Sequence, residues 1–342
     1  MFSRKLFSSS KNRRSSDARV ETTLPERPSI GKDRSKSLGS ETTVVEEDTS
    51  EQFTRSSSSK CDRTEPGSIP LGLSVLHEPH DEHKADIIFI HGLGGSSYMT
   101  WCKDHAPELF WPKEWLPHDD EIHSARIFSY GYNSKLKSPK QSPTFGISEF
   151  ARDLLYDLVF GKGVDGQDLR LGEVPIIFVV HSMGGLVFKK AYLEARLDTR
   201  YHHVARLTKA VVFLSTPHRG SDLVVYLRRL LSISAPSNTK QYVAELEENG
   251  FLLRELNDQF RHVAPSLQIF SFFEALKTSR AGFSAVIVDG DSAKLGYPGE
   301  VCRSLNADHQ GMSKFISPHD PNYIAVLGAL KSLVGSCEET GE

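Results

Sequence analysis

The stretch Pro175-Ile176-Ile177-Phe178-Val179-Val180-His181-Ser182-Met183-Gly184-Gly185-Leu186-Val187 changes physical character in its middle, and few folds accommodate that change. The apolar, largely β-branched run up to Val180 reads as a strand buried on both faces. It stops at His181-Ser182. Gly184 and Gly185 follow, and Leu186, Val187, Ala191 and Leu193 then recur as one face of a helix. A serine thus stands at a strand-to-helix turn, its hydroxyl lifted to the carboxyl end of a sheet. The free N–H groups of the helix N-terminus beside it favour developing negative charge. Any βα unit also has a strand, a glycine turn and a helix, so Ser182 alone would serve equally as an N-cap. The usual nucleophile pattern is Gly-x-Ser-x-Gly, and Val180 stands here where its first glycine is expected.

Length and composition narrow the setting. A chain of 342 residues with 38% hydrophobic and 25% charged content buries one large core or two modest ones. A net charge of -3 offers no electrostatic argument for nucleic acid, which is not an expected partner. Cys61, Cys102, Cys302 and Cys337 lack CxxC spacing and suggest reduced thiols in an intracellular protein. No apolar run approaches the ~20 residues of a bilayer span, so no transmembrane helix is expected.

Residues 1–70 are crowded with Ser, Thr, Arg, Lys and Glu and have few aromatics, a composition that cannot offset its ordering entropy and reads as disordered. Residues 1 to 16 lack acid and carry Arg4, Lys5, Lys11, Arg13 and Arg14, with Phe2 and Leu6 able to share a helical face. That suits a mitochondrial presequence; a basic, phosphorylatable tail is the plainer reading.

From residue 71 to about 335, strand and helix signals alternate, which argues for a mostly parallel sheet covered on both faces; 336–342 reads as a short polar tail. The first clear strand, Ala85 to Ile90, ends in His91-Gly92-Leu93-Gly94-Gly95-Ser96. Glycines there let backbone N–H groups turn inward. Those of Leu93 and Met183 form a candidate oxyanion hole. The glycine spacing fits neither G-x-G-x-x-G nor the Walker lysine motif, so no nucleotide or other cofactor is expected. His77, His80, Asp81, Glu82 and His83 resemble metal ligands, but Pro79 interrupts them and no cysteine or helical spacing supports a site. A solvated loop is expected, and no metal.

Trp101, Trp111 and Trp115 are expected to pad the core or pocket wall. A strand over Ala125 to Tyr130 and a helix carrying Ile147, Ala151, Leu154, Leu155 and Leu158 lead to the Pro175 strand. Another apolar strand, Lys209 to Ser215, runs into Thr216-Pro217-His218. From Asp222 to about Val263 the pattern is helical and apolar, either a cap suited to an acyl chain or one helix covering the sheet. Leu267 to Phe273 is a strand with Glu274 at its carboxyl end. A short strand at Ala285 to Val288 leads to Asp289-Gly290-Asp291-Ser292. His309 precedes a terminal helix from about Asn322 to Leu333.

Carboxylate and histidine therefore follow the serine in the order Ser, Glu, His. A serine hydroxyl is a weak nucleophile until a neutral imidazole removes its proton, and the imidazole needs a carboxylate to hold its tautomer and stabilise its cation. Ser182 is the expected nucleophile, His309 the general base and then acid, and Glu274 the orienting carboxylate. Asp222, Asp289 and Asp291 compete for the acid role, the last two also reading as turn formers beside Gly290. His91, His181 and His218 are expected to pack or to hydrogen-bond loops.

His91-Gly92-Leu93-Gly94-Gly95, Val180-His181-Ser182-Met183-Gly184-Gly185, Ser215-Thr216-Pro217-His218-Arg219-Gly220-Ser221, Ser271-Phe272-Phe273-Glu274 and Asn306-Ala307-Asp308-His309 together resemble the lipase-like serine esterases. That family includes the serine-active-site-containing proteins and the fungal hydrolase domains found ahead of NACHT modules. The resemblance implies an α/β-hydrolase fold and cleavage or transfer of an acyl ester, with a lipid or phospholipid-like substrate. It also implies a cytoplasmic, mitochondrial or endoplasmic-reticulum setting, with peripheral membrane contact left open. The other reading is a catalytically silent binding or signalling module on the same fold.

Overall fold

The computed structural model describes residues 70–134, 146–163, 165–218, 225–226, 228–230, 254–280, 283–296 and 298–339. The segment expected to be disordered therefore lies outside the described residues except for Pro70, as do its presequence reading, Cys61 and Asp222.

Alternation decides the layers. In β2 (Ala85–Ile90), β4 (Ile176–His181) and β5 (Thr208–Leu214), successive side chains point to opposite faces of the sheet, and both sets are apolar. Ile88, Ile90, Phe178, Val180, Val211 and Phe213 join one core cluster, while Ile87, Phe89, Ile177, Val179, Val212 and Leu214 join the other. Helices cover both. On the first face lie α2 (Ile147–Phe160) and α3 (Gly184–Leu197), whose Leu154, Leu158, Leu186 and Phe188 are buried there. On the second lie Trp101, the short helix α1 (Trp111–Glu114) through its buried Trp111, and the terminal helix Pro321–Glu339. Asp86 is a buried carboxylate inside this layer, and Arg126 neutralises it through Nε to Oδ1 at 2.8 Å and NH2 to Oδ2 at 3.1 Å.

The main sheet also takes in β1 (Gly72–His77), β3 (Ala125–Gly131), β6 (Gln268–Glu274) and β9 (Glu300–Leu305). Its order is β1-β3-β2-β4-β5-β6-β9, with β1 antiparallel to β3 and every other pairing parallel. This is the α/β-hydrolase fold. The chain steps outward from β2 to β3 and then returns across β2 to place β4 on its other side. That reversal opens a crevice at the carboxyl ends of β2 and β4.

Four points need correction. The edge strand β1 was not anticipated, since its alternation is short and every residue in it is only half-buried. No strand spans Ala285 to Val288; instead β7 (Thr278–Arg280) and β8 (Phe283–Ala285) form a hairpin, and the chain leaves the ladder at Val286. The cause is local: the Val288 N–H donates to Glu274 Oε1, so this backbone serves a side chain and not a sheet. The last strand is β9, whose polar sequence masked it because Val301 to Ser304 are exposed on an edge. The terminal helix also continues to Glu339 and buries Cys337, so regular structure enters the stretch read as a polar tail.

Within the segment expected as a cap, residues 225–226, 228–230 and 254–263 are helical and the remainder is outside the described residues. Both parts contribute to the core, and one of them also reaches the cleft. Leu256 and Phe260 join the core over the sheet, where fully buried Lys189 of α3 donates to Asn257 Oδ1 at 2.6 Å. Leu230 belongs to the same cluster and also lines the active-site cleft.

Candidate active site

The turn after β4 forces Ser182 into a left-handed conformation with φ of 58°. Such a φ is costly for a non-glycine residue, and the surroundings hold it. The Ser182 N–H donates to Leu214 O at 2.9 Å, and its carbonyl accepts from Thr216 Oγ1 at 3.1 Å. Glycine is required at two neighbours. A Cβ on Gly184 would lie 2.5 Å from the backbone oxygens of Ile90 and His91, and one on Gly185 would lie 2.3 Å from Thr216 Oγ1. Val180, in place of the usual first glycine, is fully buried in the same cluster as Met183, Leu186 and Val187.

His309 follows β9, and its Nε2 lies 3.1 Å from Ser182 Oγ. Its Nδ1 lies 3.3 Å from Glu274 Oε1, at the end of β6. All three side chains are almost completely withdrawn from water. Glu274 Oε1 also accepts the Val288 N–H, so it can receive Nδ1–H but has nothing to donate. That fixes the imidazole with its proton on Nδ1 and its lone pair toward Ser182. The histidine backbone is clamped as well: its N–H donates to Thr278 Oγ1 at 3.1 Å, and its carbonyl accepts from His181 Nε2 at 3.0 Å.

Beside Ser182 runs the loop after β2. The Nδ1–H of His91 donates to Gly92 O at 2.9 Å, and Nε2 accepts the Tyr132 N–H at 3.2 Å, while the two rings stack at 4.2 Å. Burial holds this imidazole neutral, its pKa lowered to about 4. Gly95 N–H also donates to Gly92 O, at 3.1 Å. A trans peptide aims its N–H opposite its carbonyl, so two donors on Gly92 O turn the Leu93 N–H away from them. Neither Leu93 nor Met183 N–H has an acceptor among the described residues. A Cβ on Gly92 would lie 2.8 Å from Ser182 Cβ, which shows how close this loop approaches the serine.

Of the competing carboxylates, Asp289 and Asp291 sit in an exposed turn in which Asp289 Oδ1 caps the Ser292 N–H at 2.9 Å. The Glu274 carboxylate is the one on His309. His181 binds the His309 carbonyl, and burial, then the neighbouring His309, lower its pKa to about 3. His218 packs edge-on against Phe213 at 4.5 Å. His77, His80, Asp81 and Glu82 line a separate surface groove, and no cluster of metal-ligating side chains occurs among the described residues.

Tyr226 was not anticipated. Its buried hydroxyl lies 2.6 Å from Ser182 Oγ. Since the serine donates its own proton to His309, the tyrosine O–H donates to the serine. Burial raises the tyrosine pKa, which keeps it a donor. The available signal was its spacing: Tyr226 and Leu230 are i,i+4 on one helical face, and both reach the serine's surroundings. The cleft has a volume of about 270 Å³, with Leu93, Met99 and Leu230 as apolar walls and Ser182, His309 and Lys314 among its polar lining.

Fold and site together define the class as an α/β-hydrolase-fold protein with a serine, histidine and glutamate in mutual contact. No family model matches the chain. Protein SERAC1 of Bos taurus is 31% identical over 260 residues, which are 68% of this chain and 37% of that protein. SERAC1 of Danio rerio is 30% identical over 268 residues, 71% of this chain and 38% of that protein. The chain therefore spans little more than a third of the curated relatives it matches. Among solved structures, a Paleococcus ferrophilus monoacylglycerol lipase is 14% identical with a TM-score of 0.42, covering 79% of this chain and 100% of that one. A carboxylesterase structure from Nitrososphaera gargenis is 14% identical with a TM-score of 0.41, covering 77% and 96%. No helix among the described residues is long and apolar enough to cross a membrane.

Proposed function

We propose that this chain is a serine hydrolase of acyl esters, with Ser182 as nucleophile, His309 as general base and acid, and Glu274 as the orienting carboxylate. The observation that carries this reading is the unbroken path from Ser182 Oγ to His309 Nε2 at 3.1 Å and from His309 Nδ1 to Glu274 Oε1 at 3.3 Å. Ser182 Oγ attacks the ester carbonyl while its proton passes to His309 Nε2, and Glu274 stabilises the imidazolium. The Leu93 and Met183 amides receive the oxyanion. The intermediate collapses as the C–O bond to the alcohol breaks, and the alcohol leaves with the proton from His309. Water then gives a proton to His309 and attacks the acyl-serine. His309 returns that proton to Ser182 as the carboxylic acid departs. The apolar walls Leu93, Met99 and Leu230 suit an acyl chain, so lipid-like esters are the proposed substrates.

A fluorophosphonate probe should label the wild-type protein and not Ser182→Ala. Equal labelling of both, or none of a folded wild type, defeats the proposal. One observation favours a second reading, a silent binding module: the Tyr226 hydroxyl occupies the serine at 2.6 Å. Absent labelling in both wild type and Tyr226→Phe would support that reading.

A further inference from the structure

Lys314 is the one fixed charge among the described residues lining the cleft that holds Ser182 and His309. The other described lining groups are apolar, hydroxyl, amide or backbone, and the two histidines, of which His181 is held neutral by burial. Lys314 makes no ion pair and no side-chain hydrogen bond among the described residues, although its side chain is half-buried. An exposed lysine needs no partner, because water solvates it. A half-buried one lining the cleft has given up part of that hydration without a hydrogen-bond or ion-pair partner for its ammonium among the described residues.

Its setting is built. Ser313 precedes it, its Oγ donating to Thr100 O at 2.9 Å and its carbonyl accepting from Trp111 Nε1 at 2.9 Å. Fully buried Phe315 follows. The Lys314 N–H closes the turn on Gly311 O at 3.3 Å. The backbone at Lys314 is thereby anchored to the same Met99-Thr100 loop that walls the cleft. No nearby charge forms an ion pair with it among the described residues: Cys102, then Asp104 and Asp308, favour the ammonium while Lys103 opposes it, and Asp308 spends Oδ1 on the Gly311 N–H. Partial burial, the largest effect, holds the ammonium below the usual lysine range, a strain that an incoming anion relieves.

Resting on the esterase reading above, we propose that Lys314 binds an anionic group of the substrate, a phosphate or carboxylate within a few bonds of the scissile ester. The site thereby takes charged esters over neutral ones of equal length. Charge-assisted hydrogen bonds are the stronger class, and an ammonium approaches phosphate and carboxylate oxygens alike as a point charge. The shared chemistry is the anion; which side of the ester carries it is for experiment.

Two matched pairs decide this. 1-Hexanoylglycerol against 1-hexanoylglycerol 3-phosphate places the anion on the alcohol side, and ethyl butyrate against ethyl hemisuccinate places it on the acyl side. For wild type, kcat/KM should favour the charged member of one pair by about tenfold or more. Lys314→Met should collapse that ratio toward one through a loss of roughly 10- to 100-fold on the charged ester. Lys314→Glu should invert it. A wild type without preference, or a ratio unchanged in Lys314→Met, overturns the proposal. Failure of the esterase reading looks different: no ester turns over and no probe labels. In that case calorimetric titration of glycerol 3-phosphate and of succinate into Ser182→Ala, with and without Lys314→Met, reads the site directly. Heat that the lysine substitution abolishes supports the anion site, and no heat in either protein overturns it.

Discussion

Replacing Glu274 by Gln tests how the carboxylate works here. In a triad where the amide is free to turn its NH2 toward the histidine, the wrong tautomer results, and the loss in kcat is about 10⁴-fold. Here the Val288 N–H donates to Oε1, the same oxygen that faces His309 Nδ1. An amide at 274 must put its carbonyl at that position to satisfy Val288, so it still accepts from Nδ1–H and the tautomer survives. What goes is the charge. At 3.3 Å and an effective dielectric near 20, a carboxylate and an imidazolium attract by about 5 kcal/mol. The retained amide hydrogen bond returns about 1 kcal/mol, leaving a loss of roughly 4 kcal/mol in the transition state, or about 10³-fold in kcat. Glu274→Ala, which loses both charge and tautomer, should fall about tenfold further. Hydrolysis of p-nitrophenyl butyrate gives kcat for each variant, and ¹⁵N NMR of the imidazole gives the tautomer. An amide variant as inactive as the alanine variant, or an imidazole protonated on Nε2, refutes the reasoning. The new NH2 would occupy the place of Oε2, which has no partner among the described residues, so a stability loss of about 1 to 3 kcal/mol should accompany the change.

Tyr226→Phe removes the donor on Ser182 Oγ while keeping the ring, and fluorophosphonate labelling should quicken by about 2- to 10-fold; unchanged or slower labelling counts against the donor role. His91 and His181 are buried neutral, with pKa values lowered to about 4 and about 3. The unfolded chain binds protons at these positions near pH 6.5 and the folded one does not, so stability is intact above that pH and falls as pH drops toward 4 and then 3. Urea midpoints measured from pH 7.5 to 4 should decline, and His91→Gln should flatten that decline; parallel curves would reject the assignment. Gly184→Ala places a Cβ 2.5 Å from two backbone oxygens and should destabilise the fold by about 2 to 3 kcal/mol, read from the same urea midpoints.

Some of this protein is legible in its order of residues. Strand β4, the turn at Ser182 and helix α3 announce themselves because burial on both sheet faces, a glycine pair and a helical repeat are all local patterns. The succession of Ser182, Glu274 and His309 is likewise a matter of chain order, and each falls at or just beyond a strand's carboxyl end. Local pattern also misled: β9 is polar because it is an edge, and the apolar Val286-Ile287-Val288 is no strand because Glu274 claims its backbone.

Contacts between distant residues were decided only by the folded chain. His181 binding the carbonyl of His309, Tyr226 donating to the serine, and Lys314 standing in the cleft without an ion pair among the described residues join residues scores of positions apart, or join a residue to an empty space. Periodicity records which face a side chain takes. It carries no distance between two loops, and hydrogen bonding and desolvation both turn on that distance.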